Sequence, residues 1–294
     1  MIKIPNKEYI LVSFSGGETS AYMIGWLLKN YPNRKYKFVF ANTGEENEET
    51  LFFAKQVQDY YNIDLVWVEY EELSFKIVDF ETAYRSHNPI EIANKWQNHP
   101  FRKYISKFMI PNKQNMTCTR DLKENPIRRY LSSIGITKKH YDIAIGIRAD
   151  EIDRINKHYY PLAYAGITKE HIHKYWAKMP FRLELDEHQG NCKTCWKKSF
   201  RKLATLYKEN SSQYDFFKQM RLEYGDYIRP TQAHRLTAPM YFFRDNKDID
   251  YIEKLSKEQG FKPFTDIKKY NMQTDIFDYI DKNNGCIESC EVFS

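Results

Sequence analysis

The stretch Ser15-Gly16-Gly17-Glu18-Thr19-Ser20 decides the fold, because it joins a strand pattern to a helix pattern. It follows the apolar run Tyr9-Ile10-Leu11-Val12-Ser13-Phe14 and precedes apolar residues at helical spacing, namely Ile24, Leu27, Leu28 and Tyr31. Adjacent glycines let backbone amides approach an anion, and the following helix presents free N–H groups and the positive end of its dipole. The stretch therefore predicts a phosphate cradle, with an ordinary strand-to-helix turn as the alternative. Its spacing matches neither a Walker A loop nor a G-x-G-x-x-G turn.

Further apolar runs at 38–41, 65–68 and 143–146 predict buried strands, and 47–61 has helical periodicity. Strands that alternate with helices predict an α/β fold, an open parallel sheet with helices on both faces. Over seventy residues separate the third and fourth strands. We therefore predict an α/β domain at 1–200 that contains the phosphate cradle and a helical insertion at about 71–135, then a mostly helical extension at 201–294. Asn125-Pro126 reads as a helix N-cap followed by Pro, and Thr168 as the cap of another helix.

Composition bounds the compartment and the partners. The chain has 294 residues, 42% of them apolar, and no apolar run approaches the length of a membrane span. Five cysteines do not form a disulfide framework, so we expect a cytoplasmic protein. The net charge of +6 is uneven: 85–120 holds seven Lys or Arg and one acid among aromatic residues, and 192–208 holds six basic residues and no acid. Such clusters suit the phosphates of a nucleotide or nucleic acid, and a solvated basic surface is the alternative.

Five segments, in order, resemble motifs of the phosphoadenosine phosphosulfate (PAPS) reductase family. This family belongs to the adenine nucleotide alpha hydrolase superfamily, also called PP-loop or N-type ATP pyrophosphatases. Ser15–Ser20 resembles the pyrophosphate loop of that superfamily. The others are Phe40-Ala41-Asn42-Thr43-Gly44-Glu45 with Glu49-Thr50-Leu51, Cys118-Thr119-x-x-Leu122-Lys123-x-x-Pro126, Gly146-x-Arg148-x-x-Glu151-x-x-Arg154, and Gly190-Asn191-Cys192-x-x-Cys195.

The resemblance implies a HUP-like fold and an adenine nucleotide ligand, either ATP with Mg²⁺ or PAPS. The implied nucleotide-binding residues are Ser13, Ser15, Gly16, Gly17, Glu18, Thr19, Ser20, Asn42, Thr43, Gly44, Gly146 and Arg148. Lys123 and Arg148 are the implied catalytic cations, and a surface ion pair to Asp150 or Glu151 is the alternative for Arg148. We expect Glu151 to pair with Arg154. The loop retains its glycines and hydroxyls, whereas PAPS reductases have a degenerate loop. This favours an enzyme that cleaves ATP between the α and β phosphates and adenylates an acceptor, for sulfur transfer.

Cysteine spacing adds a second constellation, Cys118, Cys192 and Cys195. C-x-x-C is a metal or redox spacing. Sulfur-transfer relatives hold a [4Fe–4S] cluster with three cysteines, whereas zinc would need a fourth ligand such as His188, Cys286 or Cys290. Unrelated thiols or a redox pair are the alternatives.

The partners that we consider besides a nucleotide are nucleic acid, a sulfur-donor protein and a second copy of the chain in a homodimer. Two other functions stay open. One is thiol-dependent reduction of PAPS, with Cys286 or Cys290 as nucleophile. The tail lacks the family's E-C-G setting, however, so a floppy, chemically idle tail is the alternative. The other is a non-catalytic module that binds nucleotide or nucleic acid.

Overall fold

The structure is a computed structural model that describes residues 5–87, 96–265 and 293. The chain forms two compact units. The first comprises Met1–Ile90, Thr119–Glu184 and Cys290–Ser294, and the second comprises Glu91–Cys118 and Leu185–Ser289. The chain leaves the first unit after Ile90, returns to it at Thr119 and leaves it again after Glu184. The division at residue 200 stays a prediction. No helix in the described ranges is long and apolar enough to cross a membrane.

The first unit contains a five-stranded sheet in the order β4-β3-β2-β1-β5. Its strands are β1 (Tyr9–Phe14), β2 (Lys35–Asn42), β3 (Leu65–Glu71), β4 (Ser74–Val78) and β5 (Tyr141–Ala144). β1 pairs in parallel with both β2 and β5, and β2 with β3, whereas β4 is antiparallel to β3. The predicted α/β fold with a mostly parallel sheet is therefore confirmed, and the antiparallel edge strand β4 was not predicted.

Alternate residues of β1 enter two different cores, so both faces of the sheet are covered. Ile10, Val12 and Phe14 pack with residues of α1 (Glu18–Asn30), α2 (Glu48–Tyr60), α3 (Phe80–His87) and α7 (Lys169–Trp176). Leu11 packs on the other face with α5 (Asn125–Ser133). A short helix, α6 (Pro161–Tyr164), contributes to both cores. This arrangement matches the helical periodicity predicted for 47–61, although Tyr60 is half-exposed.

The second unit is helical in its described part. Its helices are α4 (Pro100–Phe108), α8 (Phe200–Glu209), α9 (Asp215–Tyr224) and α10 (Ile249–Lys257), with short 3₁₀ turns between them. An aromatic cluster holds α4 to α9: Phe101 packs against Phe216 and Phe217, with ring centroids 6.0 and 5.8 Å apart. The aromatic residues interleaved with charge in 85–120 therefore include core residues.

One predicted helix cap was confirmed and one was wrong. Thr168 caps α7 and exchanges hydrogen bonds with His171 in a capping box. Asn125 is not an N-cap, because a π-helical turn at Arg120–Glu124 runs directly into α5. The Asn125 amide instead donates to Asp121 Oδ1 at 2.9 Å, one turn earlier.

Candidate functional site

The carboxyl ends of β1, β2 and β5 lie side by side at one edge of the sheet. β2 flanks β1 on one side and β5 on the other, so the strand order reverses at β1. In open α/β sheets, ligands bind beyond the carboxyl ends at such a reversal. The glycine loop, the Thr43-Gly44 turn and the Gly146-x-Arg148 segment all begin there.

The glycine loop has the backbone of an anion cradle. Gly16 has φ +80°, and a Cβ on it would overlap the Thr50 methyl group and lie 3.1 Å from Phe40 Cε2. Gly17 is the N-cap of α1 and makes no side-chain cap hydrogen bond, and a Cβ there would meet nothing nearer than Ser15 Oγ at 3.8 Å. Glycine is thus required at 16 by conformation, and position 17 leaves the helix N-terminus open to an anion.

Ser15 and Ser20 brace this loop. Ser20 Oγ donates to Gly17 O at 3.0 Å and accepts from Ser15 N at 3.3 Å. The two hydroxyl oxygens lie 2.9 Å apart, and because Ser20 has spent its one hydrogen, Ser15 Oγ is the donor. Ser13 differs, since its hydroxyl is buried and has no hydrogen-bond partner among the described residues. That orphaned hydroxyl suits a polar ligand group.

Gly146 brings the end of β5 against the first turn of α1. A Cβ on Gly146 would lie 3.1 Å from Ser20 Cα and 3.3 Å from Ser20 N. Any larger residue would push the helix start away from β5. The structure therefore brings the fourth motif onto the glycine loop.

Arg148 lies at the same edge, already held by acids. Its Nη1 donates to Thr19 Oγ1 at 3.2 Å, and its Nε lies 3.1 Å from Asp150 Oδ1. Nη1 is also 3.2 Å from Glu151 Oε2. Partial burial raises the pKa of Asp150, but hydrogen bonds and charge from Arg148 outweigh this and lower the pKa. Arg148 therefore forms the ion pairs that were the alternative prediction, and its guanidinium also reaches the first turn of α1, where the nucleotide-binding role was predicted. The expected pairing of Glu151 with Arg154 is confirmed.

Glu18 is the first residue of α1, and it is contacted by the last residue of α7 and by the chain that follows α7. Arg182 Nη2 lies 3.3 Å from Glu18 Oε1, and Trp176 Nε1 donates to the Glu18 carbonyl at 3.0 Å. The Glu18 carboxylate, one of the predicted nucleotide-binding groups, therefore has a cationic partner.

A buried polar network follows β2. Asn42 donates from Nδ2 to Glu69 Oε1 at 2.7 Å and to Ser86 Oγ at 3.2 Å. Because a carboxylate only accepts, this fixes the amide orientation, and His87 Nε2 must donate to Asn42 Oδ1 across 2.7 Å. Gly44 N also donates to Asn42 Oδ1, at 3.3 Å. Asn42, predicted to bind nucleotide, is fully buried and organises the turn.

Lys123 and Thr43 meet at one carboxylate, that of Glu46. Thr43 donates to Glu46 from both N and Oγ1, at 2.9 Å and 2.8 Å. Lys123 Nζ lies 3.7 Å from Glu46 Oε1, and all three residues are buried. The structure thus brings the predicted cation Lys123 to the predicted Thr43-Gly44 turn.

Three functional candidates were missed by the sequence interpretation: Glu46, Glu69 and His87. Charged residues are ordinarily read as surface residues, and these three are buried. One signal existed, because Glu69 interrupts the apolar run Val66-Trp67-Val68 in β3. A carboxylate in a buried strand needs a partner, which Asn42 provides.

The predicted metal ligands Cys118, Cys192 and Cys195 all belong to the second unit. In the ranges that the structure describes, no three His, Cys, Asp or Glu side chains are grouped to hold a metal ion. The metal site stays a prediction, which metal analysis of anaerobically purified protein tests: a cubane cluster gives roughly four irons and a brown colour.

The basic stretch after Cys195 is largely used inside the second unit. Lys198 is buried and donates to the carbonyls of His188 and Gly190. Arg201 donates to the carbonyls of Lys262 and Pro263, both at 3.1 Å. This internal use is a third outcome, distinct from a phosphate-binding patch and from a solvated basic surface.

The C-terminal cysteines Cys286 and Cys290 lie outside the described residues. Phe293 is described, and it is buried in the core of the first unit, with the Arg128 guanidinium 4.9 Å from its ring centroid. The tail 285–290, for which an idle role is the alternative, lies outside the described residues as a whole, so that expectation stays a prediction.

Known proteins resemble this chain. The phosphoadenosine phosphosulfate reductase domain profile matches residues 9–161, which is more than half of the chain. Over 292 residues, 96% of this chain and 94% of the relative, the chain is 29% identical to the "Uncharacterized nin region protein ORF290" of Escherichia phage lambda. Over 150 residues, 49% of this chain and 39% of the relative, it is 26% identical to ORF3 of Spiroplasma virus SpV1-C74, whose name suggests an integrase. The chain therefore belongs to the phosphoadenosine phosphosulfate reductase domain family, within the PP-loop or adenine nucleotide alpha hydrolase superfamily.

Proposed function

We propose that this protein binds an adenine nucleotide, with ATP favoured over PAPS, and adenylates an acceptor that is thereby prepared for sulfur transfer. The observation that carries the proposal is the cradle at the reversal of strand order. There a left-handed Gly16, the uncapped start of α1 and the Arg148 guanidinium converge within one unit. Amides at a helix start and a planar guanidinium are groups that bind phosphate.

In this reaction a nucleophilic atom of the acceptor attacks the α-phosphorus of ATP. The bond from that phosphorus to the bridging oxygen breaks, and pyrophosphate leaves with the bonding electron pair. The loop amides, Arg148 and Lys123 offset the negative charge on the phosphoryl oxygens and hold them in place. Catalysis therefore consists of positioning and charge stabilisation.

The observed residues do not fit magnesium binding through Glu18. Magnesium in nucleotide sites is held by one or two carboxylates together with phosphates. Glu18 is the carboxylate of the loop, and it pairs with Arg182. The proposed reaction accordingly relies on amides and cations of the chain, and no step passes through a protein-bound metal.

Calorimetric titration with ATP, AMP and PAPS tests the proposal, with Gly17→Asp as the decisive variant. The new side chain has room, and a carboxylate near the phosphates at about 4 Å costs several kcal/mol, so ATP affinity falls at least about 100-fold. Asn30→Asp is the matched control, because it adds the same charge at the other end of α1, about 18 Å away. Failure of the wild type to bind any of the three nucleotides refutes the proposal, as does unchanged binding by Gly17→Asp.

Thiol-dependent PAPS reduction is a second candidate, and the burial of Phe293 favours it. This residue holds the chain end at the first unit, three positions after Cys290. A cysteine thiolate would attack the sulfur of PAPS and release adenosine bisphosphate, and a second, reducing thiol would then free sulfite. The double variant Cys286→Ser, Cys290→Ser keeps Phe293, so sulfite release that survives in it excludes these nucleophiles.

A further inference from the structure

Glu46 has no role in the proposed reaction, yet its carboxylate is only 3% exposed. Removing a carboxylate from water costs several kcal/mol, which hydrogen bonds and nearby cations must offset. Glu46 meets that need with hydrogen bonds from the N–H and the O–H of Thr43, and with two nitrogens close by, Lys123 Nζ and His87 Nε2. Because burying a carboxylate costs free energy, we examined which groups the Glu46 carboxylate holds in place.

The first thing that Glu46 holds is its own turn. The Thr43 amide and hydroxyl both donate to the carboxylate, at 2.8 to 2.9 Å. Gly44, the next residue, has φ +85°, and Glu45 N donates to Thr43 Oγ1 at 3.3 Å. The turn that follows β2 is therefore tied in one conformation by a single charged group.

The second thing is Lys123, which comes from the π-helical turn Arg120–Glu124. Its Nζ lies 3.7 Å from Glu46 Oε1, and only a small part of the side chain reaches solvent. A lysine side chain has four rotatable bonds, so its ammonium group samples many positions unless a fixed partner holds it. Glu46 gives the ammonium one position, beside the turn.

We propose that Glu46 is a positioning residue, whose carboxylate joins the Thr43-Gly44 turn and the Lys123 ammonium so that Lys123 meets the nucleotide phosphates from a fixed place. This inference rests on the proposed function, in which Lys123 contacts phosphate. It assigns to Glu46 an effect on phosphate binding without any contact to the ligand.

Glu46 also lies close to the chain near the place where it leaves the first unit and near the place where it returns. His87 Nε2, at the end of α3, lies 3.9 Å from Glu46 Oε2, and the chain leaves the first unit after Ile90. Lys123 follows the return at Thr119 by four residues. The carboxylate therefore lies beside the outgoing segment, where His87 donates instead to Asn42, and it forms an ion pair with Lys123 of the returning segment.

A double-mutant cycle with Glu46→Gln and Lys123→Met tests the proposal by calorimetry with ATP and with adenosine. Each single variant lowers ATP affinity about tenfold, and the double variant also loses about tenfold, because the two residues act as one unit. Adenosine has no phosphates, so Lys123→Met leaves its affinity unchanged. The two variants that carry Glu46→Gln lose less affinity for adenosine than for ATP, because that change also frees the Thr43-Gly44 turn. Asp59→Asn is the control, because Asp59 is an exposed acid of α2 that pairs with Lys55, and it changes neither affinity.

Several outcomes overturn the inference. They are a loss of about 100-fold in the double variant, which means independent effects, or ATP affinity unchanged by Glu46→Gln. An equal fall in adenosine affinity shows a merely structural role. If Glu46→Gln does not fold, Glu46→Asp keeps the charge with a shorter reach, and the same cycle applies. Failure of the wild type to bind ATP or adenosine refutes the proposed function itself, whereas an additive cycle on a wild type that binds refutes the role of Glu46 alone.

Discussion

Gly16 and Gly17 are neighbours, but only Gly16 has a backbone conformation and surroundings that require glycine. Comparing the variants Gly16→Ala and Gly17→Ala therefore tests the geometry of the cradle. Gly16 has φ +80°, and a methyl group on it would overlap the Thr50 side chain and press on Phe40 at 3.1 Å. Gly17 has φ −98° and ψ 158°, a conformation open to any residue, and a methyl group there has room.

The magnitudes follow from these contacts. At Gly16, the left-handed conformation costs alanine about 1–2 kcal/mol. Overpacking against Thr50 and Phe40 costs about 1–3 kcal/mol more. Alanine also restricts the unfolded chain more than glycine does, which raises the free energy of unfolding by about 0.4–1 kcal/mol. Gly16→Ala should therefore lower the free energy of unfolding by about 1–5 kcal/mol. Gly17→Ala should change it by less than about 1 kcal/mol, because the stiffer unfolded chain offsets the loss of glycine at the N-cap.

Native-state hydrogen exchange is the appropriate assay, because a chain with two compact units need not unfold in one step. The amides of β1 and β2 report on the first unit, and those of α8 in the second unit are the internal reference. Equal losses for the two variants, or a neutral Gly16→Ala, would refute the assignment of the left-handed position.

Three further predictions concern the first unit. Gly146→Ala should destabilise it by about 1–3 kcal/mol in chemical denaturation, because the added methyl group meets the Ser20 backbone at 3.1 Å. Asp150→Asn should lower stability at neutral pH. Because the folded pKa of Asp150 lies below its unfolded value, its contribution is present above about pH 4 and is lost as the pH falls through the folded pKa. Denaturation curves of the variant and the wild type should therefore converge in acid. Phe293→Ala should cost about 3–5 kcal/mol and weaken exchange protection in α5, and unchanged protection there would contradict its place in that core.

The fold was predictable where residue type and conformation agree. The apolar run 9–14 coincides with β1, and the glycine pair marks the start of α1. β4 escaped prediction because its hairpin turns through Glu72 and Leu73, at φ 35° and 68°, and neither residue signals a left-handed turn. Asn125 misled because Asn-Pro is typical of a helix start. Here the helix begins five residues earlier as a π turn.

The site was predictable as motifs but not as a network. The glycine loop, the turn after β2 and Arg148 converge as parallel-strand topology requires. Glu46 could not be paired with Lys123 from the sequence, because 76 positions separate them and only the returning chain brings them together. The hydrogen bonds of Lys198 and Arg201 could not be predicted either, because tertiary structure alone brings their backbone acceptors close.

The burial of Phe293 in the first unit bears on the order in which the protein is completed during synthesis. The ribosome makes the sheet, then the whole of Leu185–Ser289, and only afterwards the residue that fills the core beside α5. Domains tend to fold in the order in which they emerge, but here the earlier unit lacks a core side chain until the later unit has been made. A nascent chain paused before residue 290 would therefore carry a first unit whose second hydrophobic core is unfinished, and at this stage a chaperone would find apolar surface to bind.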